Sequence, residues 1–444
     1  MPHSHVSKHF ARLRPKYGDI AYLSVLSQDI IILNSQKAAW EILGVRGETS
    51  SGRPIMTMAG ELSGYDRFLA LRQDGERLRA GRTYLHSAIG PQHSRNYAPD
   101  QEEQVVRFLK KILNDPENFE EHCIWIMVTS HKITMTPYLE SSTGVMDRFS
   151  EAAATGRWLV DTIPLLKYIP TWLPGVKFKK FAALCHIKAR EAFEEPFLLI
   201  KQQMKDGVAR KSLVASYLEE SSSRTQEEEE FIMYTMGDLF GAGLLTMSSG
   251  ILSFFIAMVL NPSAQKKAQA EIDAVCDRQN RLPTFADKSS LPYVEALLWE
   301  VLRWSTITPV GVPHRFTQDE TYQGLRIKKN TTAFANIGQA AILFDSEAYP
   351  EPEVFKPERF LGHNPQPDPR KTAFGFGRRL CPGNALAEQT MFIILARTLA
   401  TFDIQPREGH KYSISRTDGV VALPTHFEVD INIRSALAKD LLEN

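Results

Sequence analysis

Phe374-Gly375-Phe376-Gly377-Arg378-Arg379-Leu380-Cys381-Pro382-Gly383 is the stretch on which the reading of this chain turns. Two glycines, a proline and a third glycine surround one cysteine, and the apolar run 385–399 follows at once. Glycine permits tight turns and close backbone approach, and proline cannot sit inside a helix. Cys381 is therefore expected on a bent loop that feeds a helix N-terminus. Backbone N–H groups and the helix dipole at such a place favour a thiolate over a thiol. Arg379, two residues earlier, offers a fixed fork of donors suited to a carboxylate. A lone Cys-x-Gly would read as a buried structural cysteine.

A thiolate ligand, an arginine for an acidic group and an aromatic lid at Phe374 together describe a seat for haem. The run resembles the haem-binding signature of the cytochrome P450 superfamily, Phe-x-x-Gly-x-Arg-x-Cys-x-Gly, at every defined position: Phe374, Gly377, Arg379, Cys381 and Gly383. The resemblance implies a mainly α fold with small β-sheets in one large domain, with haem b bound through Cys381 as the metal ligand. In such proteins the thiolate pushes electron density onto iron and favours O–O cleavage. Pro382 has no N–H, so hydrogen bonds to the sulfur are expected from Gly383 or Asn384.

Composition agrees with that reading. A chain of 444 residues can bury a large core, and no linker divides it. Lysine plus arginine equals aspartate plus glutamate, 52 against 52, which leaves no basic footprint for nucleic acid. The four cysteines at 123, 185, 276 and 381 form no Cys-x-x-Cys pair, so neither zinc nor a disulfide framework is expected.

Residues 1–15 hold His3, His5 and His9 without an apolar run and are expected as a disordered start, with the haem domain spanning 16–444. Eukaryotic members of the superfamily usually begin with a spanning helix and a proline-rich hinge, and this sequence begins with neither. Membrane association is thus expected only in a longer form, on the cytoplasmic side of the endoplasmic reticulum, and a soluble cytoplasmic protein otherwise. Asp19–Val25 and Asp29–Leu33 read as short strands, and 35–44 as a short helix. The loop-rich stretch 51–74, with Met56, Met58, Tyr65 and Phe68, corresponds in the resemblance to a substrate-covering loop. Residues 75–86 read as a basic helix. The family often places Trp-x-x-x-Arg there, with both residues donating to a haem propionate; here the tryptophan position is Leu78 and Arg82 is retained. Successive helices follow to residue 211. Within them, Trp158–Gly175 resembles fungal members, particularly basidiomycete ones of secondary metabolism.

Thr225-Gln-Glu-Glu228 has capping-box spacing. Beyond it, 231–260 contains no lysine or arginine and Asp238 as its only acid. Such a length suits a membrane span or a central helix buried on all sides; the polar and glycine positions and the cysteine motif favour the latter. Gly241-Ala242-Gly243-Leu244-Leu245-Thr246 aligns with the superfamily's oxygen-activation segment, small-Gly-x-acid-Thr. Thr246 is the expected catalytic residue, able to hold a proton-delivering water, while Gly241, Ala242 and Leu245 are expected in the substrate pocket. Leu245 stands where the acid is expected. Asp238 lies two helical turns before it, about 10 Å along the axis. Weak coupling of NADPH use to product is the expectation.

Glu300-Val-Leu-Arg303 places two charges at i, i+3 on a helix, and Pro357-Glu-Arg359-Phe follows. The superfamily couples these as Glu–Arg–Arg, a structural network behind the cysteine loop, and a buried network must be fully paired. Thr308–Arg315 resembles the strand over the haem, with His314 on a propionate and Val310 in the pocket. Gly419-Val420-Val421 resembles a hairpin tip that places Val420 in the pocket. Flavin and nicotinamide fingerprints such as Gly-x-Gly-x-x-Gly are absent. The function implied is monooxygenation of a lipophilic small molecule, with electrons from NADPH through a separate cytochrome P450 reductase. The loss of the acid leaves two alternatives: a peroxide-using or rearranging haem-thiolate enzyme, and a non-catalytic haem-binding relic.

Overall fold

A 35-residue helix, Gln226–Leu260, forms the axis of the structure. The structure is a computed structural model that describes residues 5–443 apart from 26–27, 130–138, 155, 210–211, 221–223 and 277–278. Residues 26–27 between the two expected strands, 210–211 at the end of the expected helical stretch and 221–223 therefore lie outside the described residues. The long helix starts on a complete capping box: Glu228 N donates to the Thr225 hydroxyl, and Thr225 N donates back to the Glu228 carboxylate at 2.8 Å. It ends just before Pro262. The helix is long and apolar enough to cross a membrane, yet 83% of its most apolar window is buried inside the protein. Helices Phe119–Thr129, Pro292–Ser305 and Asn384–Thr401 pack around it. Phe254, Phe255 and Met258 are fully buried, and a side chain of that size contributes about 1.5–3 kcal/mol on burial. This is the central core helix of the two readings.

The β structure is small and peripheral. Strands β1 (Ile20–Val25) and β2 (Gln28–Leu33) pair antiparallel with Ile20 opposite Leu33. Strand β3 (His314–Arg315) pairs antiparallel with β6 (Thr332–Ala335), which lies parallel to β2, giving the order β1-β2-β6-β3. Strand β2 carries three consecutive isoleucines, all buried, as expected of a strand covered on both faces. Two hairpins, β4 (Glu320–Tyr322) with β5 (Leu325–Ile327) and β7 (Phe402–Pro406) with β8 (Val429–Ile433), complete the set.

The start of the chain departs from expectation. Residues 6–11 form a helix and a second begins at Arg14. Phe10 is buried against Phe334, ring centroids 5.6 Å apart, and the Ser7 hydroxyl donates to Asn336 at 2.6 Å. Partners more than 300 residues away order this segment, and local composition carries no sign of them.

Candidate active site

Cys381 sits where the sequence places it, on the loop leading into the helix Asn384–Thr401. Gly375 and Gly377 take φ of +80° and +53°, the left-handed region that side chains with a Cβ avoid. At Gly377 a Cβ would also lie 2.4 Å from the Leu43 carbonyl, so no larger residue fits. The loop is closed by Cys381 N donating to the Phe374 carbonyl at 2.8 Å. Gly383 has an ordinary negative φ; its amide faces the sulfur. Burial pushes the Cys381 thiol up, while the Gly383 amide and the Arg82 cation pull it down.

Cys381 and Phe374 open onto a cavity of about 340 Å³. Its far wall is the middle of the central helix: Asp238, Leu239, Ala242, Gly243 and Thr246. Thr246 Oγ1 donates to the Ala242 carbonyl at 2.8 Å, which orients the hydroxyl and leaves its lone pairs to the cavity. Ile307, Val310 and Val312 add an apolar side.

One edge of the cavity is cationic. Arg379 donates from Nε to the Ser51 carbonyl at 2.7 Å and from Nη2 to the Arg72 carbonyl at 2.9 Å. Arg82 donates to the Leu380 carbonyl at 2.6 Å. Arg53, which the sequence analysis did not single out, is 5% exposed and donates to the carbonyls of Ala70, Val312 and Pro313. Burial lowers the pKa of all three guanidiniums, and that of Arg379 falls to about 10. Arg379 and Arg82 further depress Arg53; at Arg379 the Asp74 carboxylate offsets part of the burial effect and Arg82 depresses it again. His314, on β3, is buried, and its Nδ1 lies 2.9 Å from the Ser50 carbonyl. That carbonyl can only accept, so Nδ1 carries the proton. Burial first and Arg53 second push the ring down to about 3, and it is neutral. Buried cations repelling one another call for an anion. The arrangement fits a planar cofactor with a sulfur ligand at its centre and carboxylates at one edge.

The cytochrome P450 family profile matches residues 1–431. The chain belongs to the cytochrome P450 family. Cytochrome P450 monooxygenase 208 of Postia placenta is 37% identical over 96% of this chain and 86% of the relative. Cytochrome P450 monooxygenase COX2 of Coprinopsis cinerea is 38% identical over 96% and 85%, respectively. A zebra fish cytochrome P450, in a structure with abiraterone, superimposes with a TM-score of 0.76 at 20% identity. That match covers 97% of this chain and 100% of the other.

Haem b is thus the cofactor, and the residues present fit it: Cys381 would hold the iron, and Arg53, Arg82 and Arg379 would meet the carboxylates, whereas His314, neutral with its one proton on Nδ1, has a bare Nε2 that donates nothing to a carboxylate. Bound there, haem supplies the iron at which dioxygen is activated. Phe374 and Gly377 shape the loop that carries Cys381. The P450 residues expected in the substrate pocket divide into two sets. Ala242 and Val310 line the cavity, as does Thr246, the expected catalytic residue. Gly241, Leu245 and Val420 do not. A Cβ on Gly241 would lie 2.6 Å from Met146 Sδ, so its smallness serves helix packing. Leu245 is 7% exposed in a second cluster with Tyr65, Phe68, Met146, Phe149 and Phe193, against which Val420 also packs. The reason is angular: Leu245 and Thr246 are successive residues, 100° apart around the helix. Leu78, at the tryptophan position, is buried in a third cluster with Leu85 and Phe197.

Glu300, Arg303 and Arg359 meet behind the cysteine loop with side chains fully buried. Glu300 accepts from Arg303 Nε and Nη2, both at 2.8 Å, and from Arg359 Nε at 3.1 Å. Carbonyls of Leu343, Pro352, Pro350, Glu351 and Val354 and the Gln366 side chain take the remaining donors. Of the cavity residues the sequence reading passed over, Arg53 carried one usable signal: an arginine in a segment, 51–56, with no acid to pair it.

Proposed function

We propose that this P450 inserts one oxygen atom of O₂ into a lipophilic small molecule, reducing the other to water, with electrons from NADPH through a separate reductase. The observation that carries the reading is the largely apolar cavity onto which Cys381 opens, where Leu239, Ala242, Ile307, Val310 and Val312 share the lining with Thr246. Such a wall selects an apolar substrate by burial. A role in fungal secondary metabolism is supported by the fungal origin of the relatives.

Leu245 favours a second reading, a peroxide-using enzyme that does not protonate dioxygen during turnover. The test is a screen of lipophilic compounds by haem spectral shift on the holoprotein, followed by turnover under ¹⁸O₂. Product carrying one labelled oxygen with NADPH and reductase is the expected result. Product with peroxide alone would favour the second reading, and none with either a haem-binding relic.

The proposed site of action is the cytoplasmic face of the endoplasmic reticulum. Leu165, Tyr168 and Trp172 are each more than 70% exposed, an apolar surface suited to a lipid interface, with Lys167 among them paired to Glu61. Binding of the purified chain to phospholipid vesicles, lost on Leu165→Ser with Trp172→Ser, tests the membrane contact.

A further inference from the structure

We propose that Asp161 and Asp238 are positioning residues that pin the loop 54–69 closed beside the haem cavity, and that this loop swings away to admit any ligand larger than a diatomic gas. The inference depends on haem in that cavity and not on which oxidation the protein performs.

The loop has the form of a lid. Its two ends are tied together: Arg53 Nε donates to the Ala70 carbonyl at 2.9 Å, and Gln73 Nε2 donates to the Arg53 carbonyl at 3.0 Å. Sixteen residues thus leave and rejoin the body at one place, as in an Ω-loop. That place is the site itself, because Arg53, Leu69 and Ala70 line the cavity. On the inner side of the loop, Ala59, Tyr65 and Phe68 pack in the cluster that holds Leu245. Val312, a residue of the cavity lining, packs against the same cluster.

Two carboxylates on other elements hold the loop. Asp238, on the central helix, takes its root: Ala70 N donates to Oδ2 at 3.0 Å, and Leu69 N donates as well. Asp161, in the short helix Leu159–Thr162, takes its outer turn: Met58 N donates to Oδ1 at 2.8 Å, and Thr57 N donates as well. Met58 packed with Val160 and Ala182, and Glu61 paired with Lys167, back the second pin.

Among the described residues neither carboxyl pairs with a cation. Around Asp238, Arg67 is with Glu230 at 3.2 Å, Arg72 on the Arg67 carbonyl, Arg53 on the Ala70 carbonyl, Arg82 on the Leu380 carbonyl and Lys201 with Glu229. Around Asp161, Lys167 is taken by Glu61, Lys179 by the Ile169 carbonyl and Arg157 by Glu151, while Gln28 donates to the Asp161 backbone carbonyl. Burial therefore outweighs the loop amides and pushes both carboxyls up to about 6. The closed loop favours the protonated form, whereas water around an opened loop ionises a carboxyl near its ordinary value of about 4. Opening becomes easier as pH rises from about 4 to 6, and each pin released contributes roughly tenfold between pH 5 and pH 7.

The test follows 4-cyanopyridine, a ring-sized ligand uncharged across this range, as it binds the ferric holoprotein in stopped flow. Nitric oxide, a diatomic, is the control. In wild type the cyanopyridine association rate should rise at least about tenfold from pH 5 to pH 7, while that of nitric oxide stays flat. Asp161→Ala strands the Thr57 and Met58 amides and should raise the rate at pH 7 at least about tenfold, the worth of one hydrogen bond to a charged group. Asp161→Asn and Asp238→Asn keep an acceptor oxygen without a titrating proton. Each should flatten the pH dependence, the double variant should abolish it, and both carry the test if Asp161→Ala fails to hold haem. Hydrogen exchange of peptides spanning 54–70, read without any haem ligand, should be faster in Asp161→Ala than in wild type. A wild-type rate independent of pH, an unchanged slope in either Asn variant, or nitric oxide accelerating in step with cyanopyridine would each overturn the proposal. A pH-dependent wild type that forms no product under ¹⁸O₂ would count against the monooxygenase reading and leave the pinned loop supported.

Discussion

Glu300→Ala removes one carboxylate and leaves two arginines without their anion. The Glu300 carboxylate accepts four hydrogen bonds: two from Arg303, one from Arg359, and one from Lys356 N at 2.8 Å. Breaking one buried ion pair by deleting a partner costs about 3–5 kcal/mol. The orphaned amide of Lys356 adds roughly 1–3 kcal/mol. A second uncompensated guanidinium pushes the total towards the upper end, about 5–8 kcal/mol, against a net stability of about 5–15 kcal/mol for a folded protein. The carbonyl partners of Arg303 and Arg359 remain and satisfy hydrogen bonds, but they bring no charge. Most of the variant should therefore fail to fold with haem, whereas Glu300→Gln, which keeps two acceptor sites, should suffer less. The assay is the carbon monoxide difference spectrum per milligram of protein, with guanidinium unfolding of whatever holoprotein is recovered. A haem-replete Glu300→Ala whose stability lies within about 1 kcal/mol of wild type would refute the reasoning.

Cys381→His should abolish the thiolate-type spectrum of the reduced carbon monoxide complex, while Ala at Cys123, Cys185 or Cys276, all buried away from the cavity, should preserve it. Arg53→Leu should speed haem loss to apomyoglobin roughly ten- to a hundredfold, the worth of a charge-assisted hydrogen bond; an unchanged rate would remove Arg53 from the haem seat. Leu245→Asp should cost about 3–6 kcal/mol, a lost core side chain plus a buried carboxyl. It should not raise product per NADPH, because that side chain lies in the aromatic cluster rather than in the cavity; a stable, better-coupled variant would contradict this placement. Asp238→Asn should change stability with pH. The folded-state pKa of about 6 lies above the ordinary carboxylate value, so wild type loses stability as pH rises from about 4 to 6, by about 3 kcal/mol at 1.36 kcal/mol per pKa unit. The variant should match wild type below pH 4 and exceed it by up to that amount above pH 7, as read by urea unfolding of the holoprotein.

The sequence by itself determined the cysteine loop, the capped central helix and the charge triad. Each is written in residues close together or in types that admit few alternatives. Gly377 is legible because no other residue takes its φ beside the Leu43 carbonyl, and Thr225 with Glu228 because a capping box is local. Which face of the central helix meets the cavity was decided only by the tertiary structure. Gly241, Ala242, Leu245 and Thr246 are neighbours in sequence, but a helix turns 100° per residue. The packing of Met146 and Phe149 on one side therefore sends Gly241 and Leu245 away from the cavity and leaves Ala242, Gly243 and Thr246 facing it. Arg53 and the ordered start of the chain belong to the same class: their partners, Val312 and Pro313 for one and Asn336 and Phe334 for the other, lie hundreds of residues away. Only the folded chain brings them together.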